Sequence, residues 1–114
     1  MIITYHMPEE RFPVIWEIPL CYFASKYRVK KAIFIPNHAI WGENGLCRFS
    51  LLSRPGDAIS GFLTLERDIS AFKMLEFELI GGTWLENQTL TLVKEPVREK
   101  TFSLPHCLFQ LELE

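Results

Sequence analysis

The sequence predicts an all-β chain: an antiparallel β-sandwich or small β-barrel of about seven or eight short strands, with at most one short helix or turn near residues 68–72. Three observations carry this expectation. Apolar and polar residues alternate with period two along much of the chain, as half-buried strands require. Pro, Gly and Asn punctuate the alternation at spacings of roughly 8–15 residues. No segment is long enough to form the crossover helix that a parallel sheet needs.

The elements follow in order. In "RFPVIWEIPL", Phe12, Val14, Trp16 and Ile18 share one parity. Pro13 lacks an N–H, which places this strand at an edge or interrupts it. In "SKYRVKKAIFIP", Tyr27, Val29, Ile33 and Ile35 share one parity and are expected to face the core, while Lys26, Arg28 and Lys30 share the other. Lys31 breaks the apolar parity, so it should lie near a strand end, snorkel to water or mark a bulge. A short strand near residues 39–41 then reaches a turn at Glu43-Asn44-Gly45, where Asn-Gly suits a type I′ hairpin. "LCRFSLL" follows, with Cys47, Phe49 and Leu51 on one face, and Pro55-Gly56-Asp57 forms the next turn.

Residues 62–66 form a strand. The segment "DISAFKMLEFELIGG" reads as a short turn or helix near 68–72 leading into a strand over about 73–80. "TLTLVK" (89–94) and "LFQLEL" (108–113) complete the set, the latter with Phe109, Leu111 and Leu113 on one face.

At 114 residues the chain is read as one β-domain, residues 1–114. A domain of this size hides roughly two-thirds of its unfolded surface, enough to fold without metals or disulfides. Its 48% hydrophobic and 23% charged composition is that of a globular protein. The formal net charge of −2 argues against a protein devoted to nucleic acid. Residues 1–50 carry six Lys/Arg against four Asp/Glu and residues 51–114 six against ten, so the two parts stand at +2 and −4.

Cys21, Cys47 and Cys107 are odd in number and none sits in a CxxC, which fits a reducing compartment. The start of the chain does not resemble a signal peptide, and no run approaches the ~18 apolar residues of a membrane helix. The expected location is the cytoplasm, with no membrane partner.

Motifs that carry chemistry are sparse. No P-loop, dinucleotide fingerprint, GxSxG, HExxH or EF-hand pattern occurs, and the reading assigns no catalytic residue, metal or cofactor. His106 and Cys107 are adjacent, and neighbours on a strand point to opposite faces, which does not suit one metal. Glu76 and Glu78 would share a strand face at roughly 6–7 Å, ordinary for a solvated face.

Two features remain as candidate sites. Lys26, Arg28 and Lys30 would line one strand face at a spacing of roughly 6–7 Å, able to meet a polyanion. Trp41 and Trp84 lie in turn-rich settings and could anchor a partner, since tryptophan offers a large apolar face and one N–H.

The leading expectation is therefore a non-enzymatic binding module acting on another protein, as an adaptor, inhibitor or small assembly subunit. Self-association through an edge or apolar face accompanies it. Nucleic-acid or polyanion binding through the basic strand is the first alternative. The second is a small enzyme or ligand-binding barrel with an interior pocket lined by His38, His106 or Glu76.

Overall fold

The computed structural model describes residues 1–8, 10–12, 16–40, 47–54, 58–61, 63–65, 68–80, 84–96 and 102–114. Trp41, Pro13 and the turns expected at Glu43–Gly45 and Pro55–Asp57 lie outside the described residues.

Eleven strands are present among the described residues, and the longer of them follow the alternation of apolar side chains. They are β1 (Ile2–Met7), β2 (Glu10–Phe12), β3 (Trp16–Phe23), β4 (Tyr27–Pro36), β5 (Cys47–Arg54) and β6 (Leu63–Leu65). Then come β7 (Leu75–Glu76), β8 (Trp84–Leu85), β9 (Gln88–Pro96), β10 (Phe102–Leu104) and β11 (Cys107–Leu113).

Sheet 1 runs β1-β11-β4-β7, with β8 also paired to β4; sheet 2 runs β3-β9-β5-β6; β2 and β10 form a separate two-stranded ribbon. Every strand pair is antiparallel. The two sheets pack against each other, so the fold is a β-sandwich.

The core lies between them. Cys107, Phe109, Leu111 and Leu113 of β11 are buried and alternate with half-exposed Leu108, Gln110 and Glu112. On the facing sheet Cys47, Phe49 and Leu51 of β5 and Leu90 and Leu92 of β9 are buried. Phe34 and Phe49 meet edge to face across the sandwich with ring centroids 4.9 Å apart, and Phe77 meets Phe109 of its own sheet edge to face at 5.5 Å.

One flank of the sandwich is stitched closed. Residues 77–80 leave β7, form a bridge between Leu79 and Ser60, and residues 58–60 join β5 at Leu51 and Leu52. The buried Ser60 hydroxyl is satisfied there, accepting the Leu51 N–H at 3.0 Å and donating to the Gly61 carbonyl at 2.8 Å. On the opposite flank β1 lies over β3, where the Tyr5 hydroxyl and the Cys21 thiol hydrogen-bond.

Three sequence expectations are corrected. Ile33 and Ile35 do not share the inward face with Tyr27 and Val29. The register of β4 against β11 shifts between Glu112 and Leu113, so that Lys31 opposes Glu112 while Val29 opposes Leu113 and Lys30 is the extra residue. A bulge reverses side-chain parity beyond it. Ala32 and Phe34 therefore fill the core, and Lys31, Ile33 and Ile35 take the outer face, where Ile33 is nonetheless buried.

The strand expected over 73–80 is confined to Leu75–Glu76, with an isolated bridge at Leu79. Phe72 heads it in a tight turn with φ of 62°, and its N–H bonds the Pro36 carbonyl at 2.7 Å. Near residues 39–41 the described part is a single bridge, Ile40 to Ile69.

Candidate functional site

The sequence candidates Lys26, Arg28 and Trp84 converge at one end of sheet 1. The chain leaves β3 at Phe23, turns through Ala24-Ser25-Lys26 and enters β4 in the other sheet. A second crossover, from β8 through Glu86-Asn87 into β9, sits against it. Asn87 adopts φ of 54°, a left-handed conformation that its short polar side chain tolerates. Its N–H donates to the Phe23 carbonyl at 2.6 Å, and its Oδ1 accepts from the Tyr22 hydroxyl at 3.5 Å.

Underneath, Leu85 opposite Tyr27 is buried, and Phe23 packs on the Tyr27 ring at 5.9 Å. Trp84, opposite Arg28, is thereby turned outward and is 51% exposed. Lys26 places its Nζ 5.2 Å from the centroid of the Trp84 ring. At that distance the ring quadrupole attracts the ammonium. On the other side of Trp84, Arg28 Nη1 reaches Glu114 Oε2 at 3.4 Å. One outward row thus reads Glu114, Arg28, Trp84, with Lys26 folded over the ring.

The basic stripe differs from a bare run of cations. Lys26 precedes the strand, Arg28 is ion-paired, and exposed Lys30 sits at the bulge. Beyond the bulge Lys31 takes the next outward place opposite Glu112. Carboxylates of β11 and of Glu114 just beyond it therefore interleave with the cations of β4. Both side chains of the Arg28–Glu114 pair are about half exposed, so the pair is soft and open to exchange.

Beside it, Ile2, Lys31, Ile33, Gln110, Leu111 and Glu112 line a shallow hollow of about 180 Å³ on the outer face. Trp41, the other tryptophan candidate, lies outside the described residues.

The interior holds a group that the sequence reading passed over. Lys94 of β9 is 1% exposed and shares the inward face of its sheet with Phe49 and Leu92. The signal was available: Leu90, Leu92 and Lys94 share one parity. Buried Cys47 lies close enough to feel the Lys94 charge. Burial pushes the Cys47 thiol up from 9.0 to about 12, overriding the opposing pull of Lys94, with Cys107 adding to the rise. Such a thiol stays protonated and unreactive. Burial also raises the Cys21 thiol, partly offset by its hydrogen bond with Tyr5, whose own hydroxyl is raised by burial and by Cys21.

His38, His106 and Glu76 are all solvent-exposed, Glu76 on the outer face opposite Ile33. His106, in the bend that precedes β11, is exposed, and Cys107, the first residue of β11, is buried. Among the described residues no three His, Cys, Asp or Glu side chains are grouped to hold a metal ion, and no helix is long and apolar enough to cross a membrane.

No protein-family model matches the chain, and none of the curated proteins is detectably similar to it in sequence.

Proposed function

We propose that this β-sandwich is a non-enzymatic binding module, and that it engages an acidic segment of another protein at the Lys26–Trp84–Arg28 surface. The observation that carries the reading is the placement of the Lys26 ammonium 5.2 Å from an exposed tryptophan ring that shares a row with Arg28. An aromatic face between two cations offers an apolar anchor and charge-assisted hydrogen bonds at once. Arg28 already binds a carboxylate, that of Glu114, across an exposed contact. A partner carboxylate has only to replace it.

A base stacked on Trp84 with phosphates on Lys26 and Arg28 is the second reading, favoured by the same exposed ring. It ranks lower because nucleic-acid affinity normally recruits more cations than this interleaved surface supplies. The three free cysteines support a reducing, cytoplasmic setting.

Fluorescence anisotropy of a labelled Glu/Asp-rich peptide containing one aromatic residue tests the reading. Binding should weaken at least about tenfold in Trp84→Ala and in Lys26→Ala/Arg28→Ala, and should fall with added salt. Binding of oligo(dT) with none of the peptide would transfer the site to the second reading. No binding of either probe would remove both.

A further inference from the structure

Every open sheet edge presents unpaired N–H and C=O groups, and stable proteins blunt such edges. Three of the terminal positions in this sandwich are blunted. β3 carries Glu17, Pro19 and a register shift between Pro19 and Cys21. β6 has three residues, and β7 and β8 have two each. β1 is different. Its six residues, Ile-Ile-Thr-Tyr-His-Met, hold no Pro, Lys, Arg, Asp or Glu. It runs in unbroken register with β11, from Ile2 opposite Glu112 to Met7 opposite Cys107, and among the described residues it ends the sheet. Ile2 is 65% exposed there.

The hydrogen-bond phase of β1 is fixed at its first residue. The Met1 amine donates to the Leu113 carbonyl at 3.0 Å, and the Leu113 N–H donates back to the Met1 carbonyl at 2.7 Å. Antiparallel ladders alternate, so Ile3, Tyr5 and Met7 also spend their backbone groups on β11. The N–H and C=O groups of Ile2, Thr4 and His6 therefore point to the open edge.

We propose that β1 pairs antiparallel with β1 of a second copy of this chain, extending sheet 1 across a two-fold axis at Thr4. Side-chain faces must match across the new pair. With the axis at Thr4, Ile2 meets the partner's His6, Ile3 meets the partner's Tyr5, and Thr4 meets the partner's Thr4. All three outward-aimed residues then form hydrogen-bonded pairs, about six bonds in all. An axis at Tyr5 also matches the faces but leaves Ile2 without a partner.

A second copy fits this edge because nothing in it repels itself. No like charges fall opposite each other, Thr–Thr and Ile–Tyr are favourable cross-strand pairs, and an isologous contact of this kind closes at two chains. On the outer face the row Lys31–Glu112–Ile2 continues into the partner's His6, Leu108 and Ile35, again without opposed like charges. The blunted β3 lies beneath β1 and does not pair, so sheet 2 stops while sheet 1 continues. Trp84 sits at the far side of sheet 1, beyond β4, so the pairing leaves both copies of that surface open. This inference does not rest on the proposed function.

Sedimentation velocity over a concentration series tests it, with two variants. Thr4→Pro removes an N–H that faces the open edge and not β11. Thr4→Lys sets two ammonium groups opposite each other at the axis and keeps the test alive should the proline variant fail to fold. Wild-type protein should show a concentration-dependent dimer, and each variant should raise its Kd by about tenfold or more while the dilute protein melts near the wild-type temperature. Amide exchange at Ile2, Thr4 and His6 should slow only where the dimer is populated. A monomer at every concentration, or a dimer indifferent to both variants, overturns the proposal. So does protection of those amides in the dilute monomer. Protection that appears only when an unrelated extended peptide is added would assign the edge to a foreign strand and overturn it as well.

Discussion

Cys47 lies in the interior within reach of the Lys94 charge, and the thiol yields to its surroundings in a way that sets a pH limit. Burial holds the Cys47 pKa near 12 in the folded chain, against 9.0 ordinarily. Between those values the unfolded chain loses the proton that the folded chain keeps, so the contribution is fully present below about pH 9 and is lost as pH rises toward 12. The raised Cys21 and Tyr5 groups act in the same direction. Urea unfolding midpoints should therefore fall steeply above about pH 9, and less steeply in Cys47→Ala. Native Cys47 should resist alkylation at pH 8 under conditions that label the unfolded chain. Phe72 makes a second residue-scale case. It holds φ of 62° and is 69% exposed, so the conformation is costly and little burial offsets it. Phe72→Gly should stabilise the protein by about 0.5–1 kcal/mol in urea denaturation, the relief of left-handed strain exceeding the entropy of glycine.

Among the elements, β4 marks where sequence patterning stops being informative. Period-two parity identified the strand and its inward Val29, and Lys31 stood out as the residue that broke it. The direction of Ile33, Phe34 and Ile35 was not legible, because it depends on where β11 loses register at Glu112/Leu113, a property of the pair. The bulge makes a sharp prediction. Phe34→Ala should cost about 3–5 kcal/mol in chemical denaturation, whereas Ile35→Ala should cost about 1 kcal/mol. Equal costs, or the reverse order, would restore the unbulged strand. β11 and β5 were legible because their inward rows, Phe109-Leu111-Leu113 and Cys47-Phe49-Leu51, alternate without interruption. β1 escaped notice because Ile2 and Ile3 are apolar on both faces and hide the period. Strands as short as β8 carry too few residues to have a period.

At the scale of the whole molecule, sheet 1 carries outward-facing features on both of its sides: the cation and tryptophan cluster beside β8, and the unblunted β1. The first was half legible. Lys26, Arg28 and Trp84 stood out individually, but they are far apart in sequence, and only the pairing of β4 with β8 brings them together. The neighbouring carboxylates Glu114 and Glu112 were equally invisible as partners, since they come from β11 and the residue that follows it. With a net charge of −2 the molecule does not attract anions as a whole, so an acidic partner must be recognised locally and at short range.

Local recognition at Trp84 is read most directly by a ¹⁵N NMR titration with the acidic, aromatic-containing peptide. The Trp84 indole N–H and the Lys26 and Arg28 amides should shift together and saturably, and Lys26→Ala/Arg28→Ala should abolish the shifts. Saturable shifts confined to other surfaces, with Trp84 and Arg28 unmoved, would contradict it.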